Sequence, residues 1–413
     1  MDEARLRRVL GSALADEPVI RPVAENVLRA GIRRRRRRRV RGVAGGAAVA
    51  ALIAVAIPVV IRPLGAPPAG QPPAGEFTVY VRSIGAGTVT PITAGASTPG
   101  QPIRVGQGTG GIALTPNGET IYVADYGGMV TPITTATNTP GNPIKVGKVP
   151  EAIAVTPNGK TAYVANVFSG TVTPITTATN MPGKPIKVGH DPQRIAITPD
   201  GKTAYVTNAA SNTVTPITTA TNTALPPISV GHAPGAIAIT PDGKTAYVVS
   251  DQTVTPITTA TNTPGKPINV GDGPGHLAIT PDGKTVYVVG CAPGLFPCHG
   301  TVTPITTATN TPGKPIKVGK LPLAIAVTPN GKTAYVTNFR SNTVTPITTA
   351  TNTPGKPVNA GRGPFAIAIS PDGKTAYVIS KTSNTVTPIT TATNTPGKPI
   401  NVGNKPWSMV INP

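Results

Sequence analysis

The chain has 413 residues and a formal net charge of +21, although only 13% of its residues are charged. Threonine, proline and glycine dominate much of its length, a mixture that is common in disordered chains. Disordered chains lack β-branched residues at regular spacing, whereas this chain carries them throughout its C-terminal part. The composition therefore argues against a disordered protein and favours an ordered β-rich one.

The positive charge lies in two regions of the chain. Residues 1–41 carry thirteen arginines against five acidic residues, and residues 63–413 carry 23 basic against 11 acidic residues. Seven of the arginines, Arg33 to Arg39, are consecutive. Such a run can neutralise nucleic-acid phosphates, but it also marks the cytoplasmic side of a membrane-spanning segment. The residues that follow favour the second explanation, and we expect no nucleic-acid partner.

Residues 42–61, GVAGGAAVAALIAVAIPVVI, carry no charge. As a helix they match a hydrocarbon core of ~30 Å. Arginines precede this stretch and only Arg62 follows it, which places the N-terminus in the cytoplasm. We predict a cytoplasmic Arg-rich tail at 1–41, a transmembrane signal-anchor helix at 42–62, a Pro/Gly/Ala linker at 63–75 and an extracellular domain at 76–413. A cleaved signal peptide is the alternative, although its n-region would be unusually long.

The N-terminal segment resembles the short cytoplasmic tails of actinobacterial single-pass membrane proteins, including anti-sigma factors. It has no cluster of His and Cys residues of the kind that binds zinc in such domains, so their function is not implied. A sensor whose first 40 residues bind a cytoplasmic partner is kept as a third hypothesis.

From residue 88 onwards the sequence repeats with a period near 42 residues. The phrase TVTPIT, or a close variant, marks each copy. A fixed period of this length is typical of a repeat architecture, in which each unit buries its apolar face against its neighbours. The valines of the eight copies are Val89, Val130, Val172, Val214, Val254, Val302, Val344 and Val386.

Each period contains four segments with the alternation of a β-strand, which we name strands a, b, c and d. In the copy around Ile195 strands a, b and c read RIAITPDG, KTAYVTN and NTVTPITTATN, and strand d is illustrated by GKPIKVG, which follows Pro182 in the preceding copy. Asp200-Gly201 predicts a tight a–b turn, and Pro-Gly-Lys-Pro predicts the c–d turn. A four-stranded unit of this length predicts one blade of a β-propeller. Pro174 interrupts strand c, so we expect a bulge or a shortened strand there.

The strand count predicts a closed ring of eight blades. Strand b occurs eight times, and the ordered part begins with strands b, c and d of one blade. The missing strand a of that blade is the last segment of the chain, PWSMVIN. The two ends can therefore share a blade and close the ring, which removes exposed sheet edges. A seven-bladed ring with one displaced unit is the alternative.

The phrases TPDGKTAYVTN and PITTATNTPGKPIKVG resemble the YVTN-type β-propeller repeats of bacterial and archaeal surface proteins, over essentially all of residues 76–413. The resemblance implies the propeller fold. It implies little about activity, because such proteins range from adhesive surface proteins to relatives of propeller lactonases. This chain has Pro-Ile-Thr-Thr where the commoner wording is Val-Ile-Asp-Thr, so no role of that Asp is transferred.

The d–a and b–c loops vary between copies, whereas the turns hardly change. These two loops emerge on the same side of a blade, so we expect a ligand-binding face there. The alternative is that the loops only tolerate drift. Phe365 and Trp407 are the most plausible contact patch, although Trp407 could instead pack where the ring closes. The candidate ligand-binding residues are His190, Arg194, His232, Asp272, His276, Arg362, Phe365 and Trp407.

A propeller lyase or lactonase that uses this rim is the alternative function, because histidines and carboxylates such as Glu151 and Asp191 lie near it. The chain has no HExxH spacing and no nucleophile elbow, so we assign no catalytic residue, metal or cofactor. The sequence favours a monomeric binding or scaffold module, with a cell-wall polymer or a surface protein as partner. Lysines in the turns either solubilise the domain or bind anionic wall polymers.

Two cysteines, Cys291 and Cys298, fall in the insertion that lengthens one period to 48 residues. They are the only cysteines of the chain, which predicts a local disulfide in an oxidising compartment. A metal pair with His299 is the alternative.

Overall fold

The structure is a computed structural model that describes residues 77–95, 98–108, 110–291 and 300–412. The predicted cytoplasmic tail, signal-anchor helix and linker lie outside these residues. Within the described ranges, no helix has the length and apolar character that a membrane crossing requires. The described residues form eight antiparallel sheets and a single 3-10 turn, Val167–Ser169.

The eight sheets are the blades, numbered here by the order of their strand b. The inner two strands of each blade carry most of the buried apolar residues. From blade 1 to blade 8, strand a covers Pro406–Asn412, Ile112–Leu114, Pro150–Val155, Pro192–Ile197, Ile237–Ile239, Asp272–Ile279, Pro322–Val327 and Pro364–Ile369. Strand b covers Thr78–Ser83, Thr120–Ala124, Thr161–Asn166, Thr203–Asn208, Thr245–Val249, Thr285–Cys291, Thr333–Asn338 and Thr375–Ser380.

Strand c lies outside strand b, and strand d forms the outer edge of each blade. Strand c covers Thr88–Thr93, Met129–Thr134, Thr171–Thr176, Thr213–Thr218, Thr253–Thr258, Gly300–Thr306, Thr343–Thr348 and Thr385–Thr390. Strand d consists of short pieces. From blade 2 onwards the first piece covers Thr139–Pro140, Met181–Pro182, Thr223–Ala224, Thr263–Pro264, Thr311–Pro312, Thr353–Pro354 and Thr395–Pro396. The second piece, from blade 1, covers Ile103–Arg104, Ile144–Lys145, Ile186–Lys187, Ile228–Ser229, Ile268–Asn269, Ile316–Lys317, Val358–Asn359 and Ile400–Asn401.

The ring closes as predicted, and it has eight blades rather than seven. The last strand of the chain pairs antiparallel with the first, with Tyr80 opposite Val410 and Val81 opposite Met409. Strand a of blade 1 therefore comes from the C-terminus and strands b, c and d from residues 78–104. Strand b of this blade is therefore paired on both of its edges, by strands a and c, which removes a site for edge-to-edge association.

The proline within strand c explains why strand d is broken. Pro174 lies opposite Tyr163 of strand b, and its carbonyl oxygen accepts a hydrogen bond from the Gly183 amide at 2.7 Å on the outer side. Because the amide and carbonyl of one strand residue face the same side, the missing N–H also faces outward. Strand d bends away at that point and pairs with strand c only before and after it. The expected shortened strand is strand d, not strand c.

Neighbouring blades are joined by one apolar cluster at each of the eight interfaces. Seven interfaces also carry a hydrogen bond from a strand-b tyrosine to an asparagine of the next blade. Tyr205, for example, donates to Asn262 Oδ1 at 2.6 Å. Burial raises the pKa of Tyr205 to about 12, so its hydroxyl stays protonated and remains a donor. The pairs are Tyr80–Asn138, Tyr122–Asn180, Tyr163–Asn222, Tyr205–Asn262, Tyr247–Asn310, Tyr287–Asn352 and Tyr335–Asn394.

The a–b turn is held by its own side chains. Thr198 Oγ1 donates to Asp200 Oδ1 at 2.6 Å, and the Lys202 amide donates to the same oxygen at 3.0 Å. These bonds hold the pKa of Asp200 below its usual value. Gly201 adopts a φ of 72°, which explains the recurring glycine. The repeated Thr, Asp and Gly of this turn are thus accounted for by local bonds and backbone conformation.

Candidate functional site

The d–a and b–c loops lie on one side of the ring, which we call the loop face. In blade 4 the His190 amide donates to Ser211 Oγ at 2.7 Å, and the Ala209 amide donates to the Asp191 carbonyl at 2.9 Å. Equivalent bonds join the two loops in other blades, for example from the Phe339 amide to the Leu321 carbonyl at 2.9 Å. In these blades the two loops whose sequences vary are therefore held against each other.

A buried ion pair lies at the loop-face end of the innermost strands. Glu151 is the second residue of strand a of blade 3, and Arg194 lies in strand a of blade 4. The Glu151 Oε1 and Arg194 Nη1 atoms are 3.6 Å apart. The Glu151 side chain is 3% exposed and the Arg194 side chain 11%. Burial raises the pKa of Glu151 to about 7, although Arg194 and Arg82 oppose the shift. This carboxyl group is therefore able to exchange a proton near neutral pH.

Neighbouring polar groups extend this pair into a cluster. Arg194 Nη1 also donates to the Gln193 carbonyl at 2.8 Å, and the Gln193 amide group donates to Asp191 Oδ1. Burial raises the pKa of Asp191, and the bond from Gln193 opposes the shift. Tyr126, from the b–c loop of blade 2, interacts electrostatically with both Arg82 and Arg194. The cluster thus spans four neighbouring blades.

Arg82 is the largest fully buried side chain of the described residues, and sequence reasoning missed it. Its guanidinium donates to three carbonyls, those of Gly108 at 2.7 Å, Gly110 at 3.2 Å and Ala124 at 2.7 Å. Burial lowers its pKa to about 10, so it stays charged at neutral pH. Gly110 leaves room for this packing, because a Cβ there would lie 2.5 Å from the Ala124 carbonyl oxygen. Arg82 holds the loop between blades 1 and 2 and adds positive charge beside Glu151.

The predicted aromatic pair is brought together but is buried. The ring centroids of Phe365 and Trp407 are 4.7 Å apart, and Lys381 Nζ lies 4.3 Å from the centroid of the Trp407 ring. Phe365 is 2% exposed and Trp407 6%. Both belong to the apolar cluster between blades 8 and 1, with Leu323 and others. This burial agrees with the alternative that Trp407 packs where the ring closes, and it leaves little of either ring on the surface.

The histidines of the predicted site do not converge. His232 Nδ1 lies 2.6 Å from Asp251 Oδ2, and both side chains are more than half exposed. His190 and Arg362 are exposed on the loop face, whereas His276 is 5% exposed within strand a of blade 6. The structure therefore places these residues around the rim in different blades.

Two predictions fall partly on residues that the structure does not describe. Asp272 pairs through its backbone with Cys291, but its side chain is outside the description. Residues 292–299 are also outside it, so the disulfide between Cys291 and Cys298 stays a prediction. Over the described ranges, no three His, Cys, Asp or Glu side chains are grouped closely enough to hold a metal ion.

Two clefts lie near the outer edge of the ring. One of about 510 Å³ is bordered by Leu225, Pro226 and Pro227 of blade 4 and by Pro264 of blade 5. The other, of about 420 Å³, lies between blades 5 and 6 and is lined in part by Lys317. Neither cleft includes a residue of the predicted site.

Comparison with known proteins agrees with the fold. The described part of the chain is an all-β, eight-bladed propeller. No family model and no curated protein matches it. Among solved structures, it is similar to hydrazine synthase of Kuenenia stuttgartiensis, with a TM-score of 0.58 and 28% identity over 69% of this chain and 96% of that one. It is also similar to dihydro-heme d1 dehydrogenase NirN in complex with DHE, with a TM-score of 0.69 and 16% identity over 84% of this chain and 77% of that one.

Proposed function

We propose that this chain is a membrane-anchored, single-pass binding module whose propeller stands outside the cell and takes a cell-envelope ligand on the loop face. The apolar stretch 42–61 and its flanking arginines support the anchor and its orientation. The YVTN-like wording of the repeats supports a surface role. The partner is a cell-wall polymer or a surface protein.

The buried pair of Glu151 and Arg194 is the observation that carries this proposal. Seven other blades have uncharged residues at the position of Glu151: Gly110, Gln193, Gly235, Gly275, Leu323, Phe365 and Trp407. A buried ion pair stabilises a fold no better than well-packed apolar residues do, because both charges lose their hydration. Perturbed, partly buried charges concentrate at functional sites. Stability of the fold therefore does not explain why blade 3 carries a buried charge at this position, whereas ligand binding on the loop face does.

The test uses side chains that can be changed without disturbing the core. His190→Ala, Lys320→Ala and Arg362→Ala, combined in the full chain, remove three exposed loop-face side chains and two positive charges. Lys202→Ala with Lys244→Ala removes two positive charges from the a–b turns and serves as the control. Retention is measured on cell-wall glycan stripped of phosphate polymers and, in parallel, on a solubilised surface-protein fraction.

We expect the loop-face variant to lose retention and the turn variant to keep it. Equal loss of retention in both variants would show that binding depends on the overall charge of the protein and not on the loop face. Absence of retention of the wild-type chain on both materials would overturn the proposed binding role.

A second function, a lyase or lactonase-like activity at the same rim, is favoured by one observation. Glu151 has a pKa of about 7 and lies beside Arg194, so it could act as a general acid or base at neutral pH. An enzyme of this kind should lose turnover with Glu151→Gln, and also with combined replacement of His190, His232 and His276, when assayed on lactone and uronate substrates. Turnover that neither change affects would exclude this assignment.

A further inference from the structure

The outer edge of the ring carries most of the propeller's net charge. We call the c–d turns and d strands the outer belt, residues 94–105, 135–146, 177–188, 219–230, 259–270, 307–318, 349–360 and 391–402. Within these ranges the sequence has nine basic residues and no acidic one. All nine are exposed: Arg104, Lys145, Lys184, Lys187, Lys266, Lys314, Lys317, Lys356 and Lys398.

In another part of the propeller, the a–b turns, most of the lysines have acidic residues beside them that neutralise their charge. These turns carry six lysines and five acidic residues. Four of these lysines lie 3.6 to 3.9 Å from an aspartate two residues earlier, as in the pair Asp200 and Lys202. In contrast, none of the nine belt cations forms an ion pair with a described residue. Residues 77–412 contain 23 basic and 10 acidic residues, a net charge of +13, of which the belt supplies +9.

The belt can be followed from blade 1 to blade 8. Along this part of the ring, the second piece of strand d in one blade lies beside the first piece of strand d in the next, so the charged segments follow one another. Blade 4 is the exception, because Ala224-Leu225-Pro226-Pro227 replaces Pro-Gly-Lys-Pro and Ser229 takes the place of a lysine. A path of positive charge thus runs along blades 5 to 8, and a second one along blades 1 to 3, with the uncharged belt segment of blade 4 between them.

This arrangement fits a linear polyanion better than a compact one. Exposed like charges repel each other and hold small counterions, and a polyanion that follows such a path gains free energy by releasing them. Single-stranded nucleic acids are bound through aromatic side chains that stack on bases. The belt contains no Phe, Trp or Tyr, so it offers no platform for bases.

We propose that the outer belt binds a linear phosphate polymer without bases, whether a wall phosphodiester or a free polyphosphate. The test measures binding of long-chain inorganic polyphosphate to the full chain at several salt concentrations. The belt variant combines Lys266→Gln, Lys314→Gln, Lys356→Gln and Lys398→Gln. The control combines Lys202→Gln, Lys244→Gln, Lys284→Gln and Lys374→Gln, which removes the same charge from equally exposed positions of the a–b turns.

We expect the belt variant to lower affinity at low salt by at least about tenfold and to reduce the slope of log K against log salt by about 3, because each lost phosphate contact removes somewhat less than one unit of slope. The control should keep most of both. The wild-type chain, the belt variant and the control all contain Arg33 to Arg39, which could bind polymer themselves. A second series of the three proteins therefore has these seven arginines replaced by Gln.

Four outcomes would overturn the proposal. They are equal losses in the belt variant and its control, no polyphosphate binding at low salt in the second series, tripolyphosphate binding as tightly as the long polymer, and single-stranded DNA of equal charge binding more tightly than polyphosphate. Purified wall phosphodiester, used in place of polyphosphate, then distinguishes the two sources of the ligand.

Discussion

Replacement of Trp407 tests how the ring is held closed. Trp407 is 6% exposed, contacts the Phe365 ring and lies under Lys381. Truncation of a buried aromatic residue to alanine costs roughly 3–5 kcal/mol, and a cation–π contact contributes about 0.5–2 kcal/mol. The indole Nε1 is buried without a hydrogen bond among the described residues, which reduces the net gain from burial. We expect Trp407→Ala to lower the free energy of unfolding by about 3–4 kcal/mol.

Urea unfolding followed by far-UV circular dichroism measures this loss. Phe168→Ala is the matched control, because Phe168 is a large apolar residue of the loop face that is 63% exposed. Its replacement should cost about 0.5 kcal/mol or less. Since Trp407 is the only tryptophan, its fluorescence in the wild-type chain reports directly on the closure interface. Equal, small effects of the two alanine replacements would refute the assignment of Trp407 to the closure interface.

Other buried or repeated contacts allow single-residue tests by the same unfolding measurement. Glu151 has a pKa of about 7 in the folded chain and 4.5 as its ordinary value, so the folded state holds a proton that the unfolded chain releases in this range. The free energy of unfolding should therefore fall as the pH rises from about 4.5 to 7. Glu151→Gln should flatten this pH dependence by up to about 1.4 kcal/mol per pH unit, whereas the exposed control Glu119→Gln should leave it unchanged. Tyr205→Phe removes one interblade hydrogen bond and should cost about 0.5–1.5 kcal/mol; no loss would show that the bond contributes nothing. Asp200→Asn should hardly change the free energy of unfolding, because Asn158 accepts the equivalent hydrogen bonds in its own turn. Asp200→Ala should cost about 1 kcal/mol. Equal costs of the two substitutions would contradict a role of these bonds in holding the turn.

The blade could be predicted from sequence because its determinants are local and occur eight times. Gly201 and Asp200 specify the a–b turn through bonds within five residues. The broken strand d could not be located in the same way. The sequence predicts an irregularity at Pro174, but the side of the strand on which the missing N–H lies depends on the pairing with Tyr163. That pairing is a property of the assembled sheet.

The candidate site was less predictable, because burial there depends on other blades. Phe365 and Trp407 lie close together in the structure, but their residue types do not distinguish a ligand-contact patch from a packed interface. Arg82 was missed although a signal existed, since it occupies a strand-b position where Thr207 and Thr337 stand in other copies. Alignment of the copies would have identified it. The closeness of Glu151 and Arg194 follows from the ring geometry alone.

Closure of the ring by its C-terminal strand makes the interface of blades 8 and 1 different from the others. At the position where other blades carry the asparagine that accepts from tyrosine, blade 1 has Ser97, which lies outside the described residues. This interface instead places the Phe77 ring edge-on to Tyr377, at 6.0 Å between centroids. It also contains Trp407 and Met409, both from the strand that joins the two chain ends. Apolar packing is thus concentrated on a strand that has no covalent connection to strand b of blade 1. Loss of these contacts would open the ring there.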